Sequence, residues 1–415
     1  MPGLAAAGEP LLRRLEPQQW PLPLELLPAG SALVGGAVRD ALLGRLQQRP
    51  DLDLVVPSGA LELCHRLAKR LGGSAVVLDQ PRDIGRLVIQ GWTIDLAACD
   101  GGSLEADLRR RDYSINAIAL PLQPQGTLVD PTGGLQDLQR RQLRAISRAN
   151  LVSDPLRLLR GLRLAAELEF SLEEQTHSWI TELKDELGSV SSERVLAELD
   201  KLACCSAGAA GLLAVQQLGL LQPWLAADIT LQVPLQRLTP SHAETVGLLP
   251  DEWSWALPLA RLACLADAAA LERLRSSRAL QERVRRLRQG WQLLAQRPWA
   301  ALNEPERFAL HSSLEAELPA LLLLLPSGCG QAQLLERWRD PGDPLCHPRP
   351  PLDGHRLQQL LQRGPGPWLG QLLRHLSQER AWGRLATDAN ETAVLQVCQQ
   401  WFASKVRADG SPRRD

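Results

Sequence analysis

The period of the apolar residues changes once along this chain, and that change limits the folds open to it. From about Ser31 to Asp130, short runs rich in β-branched residues alternate with helical stretches and glycine turns; from about Asp154 onward, leucines recur at helical spacing. A two-residue period suits a strand with one buried face, whereas a period of about 3.6 residues suits an amphipathic helix. The chain therefore reads as one segment with a sheet followed by a helical remainder, an α+β arrangement. Leu52–Val56, Ser74–Leu78, Arg86–Ile89, Thr93–Ala97 and Ile115–Leu120 read as strands, with Gln90 and Gly91 turning a hairpin. Arg194–Ala203 puts Val195, Leu196, Leu199 and Leu202 on one helical stripe. A proline-rich stretch from Asp340 to Pro351 sets off a last helical segment, and residues 404–415 read as a frayed polar tail.

Charge and cysteine usage exclude several function classes. The 46 basic and 47 acidic side chains give a net charge of −1, so a polyanion must be held by a local patch rather than by bulk charge. Eight cysteines without a CxxC pair argue against a disulfide framework or a structural zinc site. Cys346, His347 and His355 lie near one another, but in a proline-rich loop without paired spacing. The first residues lack the basic start and unbroken apolar core of a signal peptide, and the longest apolar run, Leu318 to Leu325 with Pro319 inside it, is too short to cross a bilayer. A cytoplasmic protein with no membrane segment is expected.

Asp51 and Asp53 carry the first chemical signal. In Asp51-Leu52-Asp53-Leu54-Val55-Val56 the strand period puts both carboxylates on one face and Leu52 and Leu54 on the other. Two hard oxygen donors so placed form a platform for Mg2+, which takes one or two carboxylates plus substrate phosphates; solvated charges on an edge strand are the plain alternative. Upstream, Leu33-Val34-Gly35-Gly36-Ala37-Val38-Arg39-Asp40 runs a strand through two glycines into a helix start. Gly35 and Gly36 permit close backbone approach, and the first free N–H groups of a helix attract phosphate. A phosphate cradle ahead of a metal platform is what phosphoryl or nucleotidyl transfer requires. Arg39 is placed either to bind triphosphate oxygens or to pair with Asp40. Asp95, between Ile94 and Leu96, is the candidate third carboxylate, completing a two-metal site or acting as base for an attacking hydroxyl.

The order of the later motifs resembles the class II tRNA nucleotidyltransferase and poly(A) polymerase family. Its first motif is similar to Gly35–Asp40 with Asp51 and Asp53, its second to Arg110–Asn116, its third to Asp130–Leu138, and its fourth to Asp154–Arg163, followed by Glu193, Arg194 and Glu198. The stretch from Asp353 through Gly364–Gly370 resembles the family's tail. The resemblance implies a nucleotidyltransferase head of the polymerase β type with a mixed sheet over residues 1–140. An all-α neck with a nucleotide-base template (141–225), a helical body (226–340) and a helical tail contacting tRNA (352–403) are implied after it. It further implies that Asp51 and Asp53 bind the metal, that Arg111 and Asp112 contact the ribose of the incoming nucleotide, and that Asn116 completes that motif.

Asp154 before Pro155 also fits a helix N-cap, and Arg157, Arg160 and Arg163 form a basic stripe. By resemblance, Asp154 and Arg157 template the base: a carboxylate accepts from the exocyclic amine that C and A share, and a guanidinium donates to the adjacent ring nitrogen. U and G present a carbonyl instead, so CTP and ATP are the expected substrates. Two departures stand out. Ser153 replaces the usual Glu before the templating Asp, and only Ala98–Ser103 separates the Asp95 strand from Leu104, where full CCA-adding members carry a longer loop. A short connection is compatible with stopping after two C residues.

Between Gln139 and Arg163, Arg140, Arg141, Arg144, Arg148, Arg157, Arg160 and Arg163 face one acid, Asp154, which marks the expected positive surface for triphosphate and tRNA. Gly364–Gly370 breaks one helix and starts another, whose free N–H groups are a candidate for holding a tRNA backbone phosphate, with a helix–helix turn as the plain alternative. The expected partners are the acceptor end of tRNA, CTP and ATP, with no stable protein partner. A poly(A) polymerase sharing the same head is the nearest rival, and a catalytically silent RNA-binding protein is the more distant one; intact Asp51 and Asp53 weigh against the latter.

Overall fold

The computed structural model describes residues 8–225, 235–326 and 330–409. They form two compact units, one of Met1–Ala207 with Ala214–Pro223 and the other of Gly208–Leu213 with Trp224–Asp415. The first unit is built on strands β1 (Ala32–Val34), β2 (Leu52–Val56), β3 (Ser74–Asp79), β4 (Ile84–Ile89), β5 (Trp92–Ala98) and β6 (Ala119–Pro121). Their order is β3-β4-β5-β2-β1-β6. The sheet is mixed, because β2 and β5 run parallel while every other pair is antiparallel.

Alternation in β2 works as its sequence requires. Leu52 and Leu54 are fully buried on the core side, together with Leu87, Ile94 and Leu96 from the neighbouring strands, whereas Asp53 is only half-buried. The helix Ala60–Leu71 buries Leu63, Cys64 and Leu67 and packs on β4. Gln90 and Gly91, both at positive φ, close the hairpin between β4 and β5.

One strand expectation needs correction. Ile115–Leu120 is not a single strand: Ser114–Asn116 is a 3-10 turn, and β6 begins only at Ala119. The segment Tyr113–Leu120 is buried at every position, so neither face needs polar residues and the apolar run carries no period to read. The polar tail read at 404–415 is likewise helical as far as Asp409, the end of the helix Glu391–Asp409; residues 410–415 lie outside the described part.

Beyond the sheet, the first unit continues through the helices Leu156–Leu168 and Ser192–Cys204, which pack on one another. Leu158, Leu159, Leu162, Val195, Leu199 and Leu202 supply the buried faces. Gly161 lets the first of these helices close onto the Tyr113 ring: a Cβ there would lie 2.0 Å from the Tyr113 hydroxyl. The second unit is helical. Its apolar run Leu318–Leu324 is a wholly buried helix with Pro319 in its first turn. A separate cluster of Leu357, Leu372, Leu376, Leu385, Val394 and Cys398 ties together the last three helices. Among the described residues no helix is long and apolar enough to cross a membrane.

The Gly161 contact makes a direct prediction. Gly161→Ala forces Tyr113 or the helix to move and is expected to cost about 1–3 kcal/mol of unfolding free energy. Urea denaturation followed by circular dichroism measures it, and parent-like stability would contradict the packing.

Candidate active site

The glycine turn after β1 brings backbone and carboxylate together. Gly35 has φ 77° and ψ −136°, a conformation closed to side-chain-bearing residues. A Cβ on it would stand 3.0 Å from Asp53 Oδ2 and 3.7 Å from Arg111 Nη1. Asp53 of β2 therefore lies against the diglycine bend, as its pairing with Val34 on β1 dictates. Gly36 opens the following helix, Gly36–Leu43. Asp51 stands exposed just ahead of β2.

The carboxylates here divide by their partners. Asp95 lies beside Asp53 in the parallel register but is gripped by Arg86 of β4, with hydrogen bonds of 2.7 and 2.9 Å. Asp107 accepts from Arg111 Nε and Nη2 at 3.2 and 3.0 Å. Asp51 and Asp53 have no hydrogen-bond or ion-pair partner among the described residues. Burial, with lesser contributions from Asp95 and Asp51, pushes Asp53 up to about 6 against the lowering pull of Arg111 and Arg160. Asp95 is paired with Arg86, and among the described residues no group of three His, Cys, Asp or Glu residues gathers in a metal-binding arrangement.

Around Asp112 the second motif forms a buried relay. Arg39, 6% exposed, donates to both oxygens of Asp40 at 2.9 and 3.0 Å and to Asn116 Oδ1 at 2.8 Å. Asn116 Nδ2 donates to Asp112 Oδ1 at 3.3 Å, the Tyr113 amide donates to the same oxygen at 2.7 Å, and Arg160 Nε reaches Asp112 Oδ2 at 3.0 Å. Burial alone would raise Asp112, but Arg160, the Tyr113 amide, Arg157 and Asn116 outweigh it and hold the carboxyl below its ordinary range. Arg39 makes the ion pair with Asp40. Arg111 and Asp112, adjacent in sequence, do not pair with each other.

Asp154 and Arg157 lie together at the start of the helix Leu156–Leu168, but not as the N-cap reading expects. The helix has no side-chain cap, and the Asp154 carboxylate instead accepts from Arg194 Nη2 at 3.2 and 3.0 Å. Pro155 fixes the first turn without a capping side chain, which leaves the acid for a partner on the helix Ser192–Cys204. Arg157 is partly buried, with Nη1 donating to the carbonyls of Arg110 and Asn150.

Most arginines of the surface expected between residues 139 and 163 already have partners within the fold, although several stay exposed. Arg163 pairs with Glu198 at 2.6 Å and also with Glu167, and its side chain is only 11% exposed. Arg144 pairs with buried Asp137 at 2.7 Å, Arg148 with Glu182 at 2.6 Å, and Arg141 lies over the Phe170 ring. The acids come from beyond the window in which the arginines were counted. Arg86, Asp107, Tyr113, Arg194 and Glu198 are site-shaping residues without an assigned role in the sequence reading. Two had legible signals: counting outward from the Gln90–Gly91 turn sets Arg86 opposite Asp95, and Asp107 stands one helical turn before Arg111.

Comparison with known proteins gives this geometry its family. Residues 94–144 match a family model described as "Poly A polymerase head domain", and residues 169–227 match "Probable RNA and SrmB- binding site of polymerase A". The chain is 36% identical to a CC-adding tRNA nucleotidyltransferase of Synechocystis sp. over 91% of its own length and 96% of the relative's. It is 32% identical to the CC-adding tRNA nucleotidyltransferase of Thermus thermophilus over 91% and 95%. The chain belongs to the tRNA nucleotidyltransferase family. Its fold is that of the Thermotoga maritima CCA-adding enzyme solved with tRNA, with a TM-score of 0.69 at 23% identity over 95% of this chain and 98% of the other.

Nucleotidyltransferases of this family use a divalent metal, and the residues present fit one. Asp51 and Asp53 offer hard oxygen donors without protein partners, and the raised pKa of Asp53 marks a carboxylate that an adjacent cation would stabilise in its charged form.

Asp112 supplies the pH prediction. Because its folded pKa lies below its unfolded value, its stabilising contribution is complete well above pH 3.8 and is lost as pH falls through the lower, folded value. Asp112→Asn should remove that acid dependence and lower stability at neutral pH by roughly 1–3 kcal/mol, since Arg160 loses its counter-charge. Thermal unfolding of both proteins from pH 7 to pH 3 gives the comparison.

Proposed function

We propose that this protein adds C nucleotides from CTP to the 3′ end of tRNA without a nucleic-acid template. The terminal ribose 3′-hydroxyl attacks the α-phosphate and pyrophosphate leaves. The single observation that carries the reading is the pair Asp51 and Asp53, unpartnered among the described residues, with Asp53 against the Gly35 bend in a site where the other carboxylates are occupied.

Each part of the chain has a task in that reading. The bend at Gly35 and Gly36 accepts the triphosphate close to the backbone, and Arg111 beside it adds a positive charge for phosphate or ribose. Mg2+ is the metal proposed for Asp51 and Asp53; when bound, it supplies charge neutralisation to the attacking and leaving oxygens. Asp95, held by Arg86, shapes the field at Asp53. Asp112, Asn116, Arg39 and Arg160 hold the second motif against the helix that carries the base-reading pair, and Arg163 anchors that helix to Glu198. Asp154 accepts from the exocyclic amine, and Arg157 donates to the ring nitrogen next to it, so that CTP and ATP fit and UTP and GTP do not.

Two features favour stopping at CC rather than completing CCA. Only a 3-10 turn at Asp100–Gly102 joins β5 to the helix Leu104–Arg109. Both relatives named above are CC-adding enzymes. The proposed organisation is a head over 1–140, a neck with the base template over 141–225, and a body (226–340) and tail (352–403) that hold the acceptor half of tRNA. The proposed compartment is the cytoplasm, where tRNA and nucleoside triphosphates meet.

A tRNA lacking its 3′ CCA, incubated with CTP alone and then with both nucleotides, tests the reading. Two added C residues with no third addition from ATP are expected; a third A makes the enzyme CCA-adding, and long A tracts favour the poly(A) polymerase rival. Asp51→Ala and Asp53→Ala should each cut incorporation by about 10³-fold or more while the protein stays folded, since each removes several kcal/mol of charge stabilisation.

A further inference from the structure

Arg157 makes no hydrogen bond or ion pair to a carboxylate among the described residues; backbone carbonyls hold it. Ser153 precedes Asp154, and its hydroxyl donates to the Asn150 carbonyl at 2.9 Å. The two hydrogens on Arg157 Nη1 go to two backbone carbonyls, Asn150 O at 2.9 Å and Arg110 O at 3.1 Å. Nε and Nη2 have no partner among the described residues, so one prong of the guanidinium fork is fixed and the rest is left for a ligand.

These two carbonyls belong to different segments, the helix Arg148–Ser153 and the turn after the helix Leu104–Arg109. The Asn150 side chain is what joins them. Its Nδ2 donates to Arg109 O and to Arg111 O, each at 2.8 Å. Because both acceptors are carbonyls, the amide can present only its nitrogen end to them. The amide thereby straddles Arg110, whose own carbonyl holds Arg157. Ser147 Oγ accepts from the Asn150 backbone N–H at 3.1 Å and fixes the residue at its helix start, while Tyr113 Oη donates to Arg157 O at 2.7 Å and fixes the backbone from the other side.

We propose that Asn150 is the positioning residue that sets the aim of Arg157 and thereby the discrimination between C and U, in the part otherwise taken by an acid at position 153. The proposal rests on the base-reading role given above to Asp154 and Arg157. Without the Asn150 clamp the Arg110 carbonyl is no longer held in register with Asn150 O, and the guanidinium can swing. A guanidinium free to swing can donate to the carbonyl of uracil as readily as to the ring nitrogen of cytosine, so selectivity falls before binding of tRNA does. The same turn carries Arg111 to the Gly35 bend, which links base recognition to the phosphate site.

The test uses the full chain and a tRNA lacking its CCA end, comparing kcat/KM for CTP and for UTP. Asn150→Ala should lower the CTP-to-UTP ratio by roughly tenfold or more, because two hydrogen bonds that hold the aim are lost. KM for tRNA should stay unchanged. Ser153→Glu added to Asn150→Ala should recover part of the ratio by giving Arg157 a carboxylate to lean on. If Asn150→Ala does not fold, Asn150→Ser, which keeps one donor, carries the same comparison. A ratio that stays at the wild-type value overturns the proposal even if the absolute rate drops, and so does a lost ratio that Ser153→Glu leaves untouched. A wild-type protein that adds no C from CTP removes the functional reading itself and this proposal with it.

Discussion

Asp112 is a buried anion, and much of the site's order follows from what a buried anion requires. Taken out of water, a carboxylate is tolerable only where opposite charge and hydrogen-bond donors replace its hydration. Arg160 brings the charge from the helix Leu156–Leu168, the Tyr113 amide and Asn116 bring the donors, and Asn116 passes the requirement on to Arg39 and Asp40 in the helix that follows Gly35. One relay thus connects the diglycine bend, the second motif and the helix Leu156–Leu168. Gly161 permits the close approach that the relay needs, since any side chain there would run into Tyr113.

Against this closed network, the groups left open are informative. Asp95, Asp107, Asp112 and Asp154 all have arginine partners, whereas Asp51 and Asp53 have none among the described residues. Buried carboxylates without partners are costly, and Asp53 shows the strain in its raised pKa. Asp53 stands against the glycine bend and Asp51 is exposed just ahead of Asp53 in the chain, both left without an arginine partner among the described residues. Arg157 follows the same logic in the opposite sign, held by backbone carbonyls through one nitrogen and open at the others.

Much of the frame was legible. The strands Leu52–Val56 and Thr93–Ala97, the Gln90–Gly91 turn and the helix over Arg194–Ala203 follow from local periods and turn chemistry, which the tertiary structure keeps. The misreadings have two causes. Ile115–Leu120 looked like a strand because a segment buried on all sides shows no period. Asp154 looked like a cap, and the residues from Arg140 to Arg163 like a basic surface, because their partners lie outside that stretch: Asp137 just before it, and Glu182, Arg194 and Glu198 well beyond it in the chain.

The sequence by itself determined the order of elements, the glycine bend and the two aspartates at the head of β2, because each depends on backbone preference and on side-chain alternation within a few residues. Only the tertiary structure decided which charges are spent and which remain available. An ion pair forms between side chains that folding brings within about 4 Å, and sequence spacing does not record that distance.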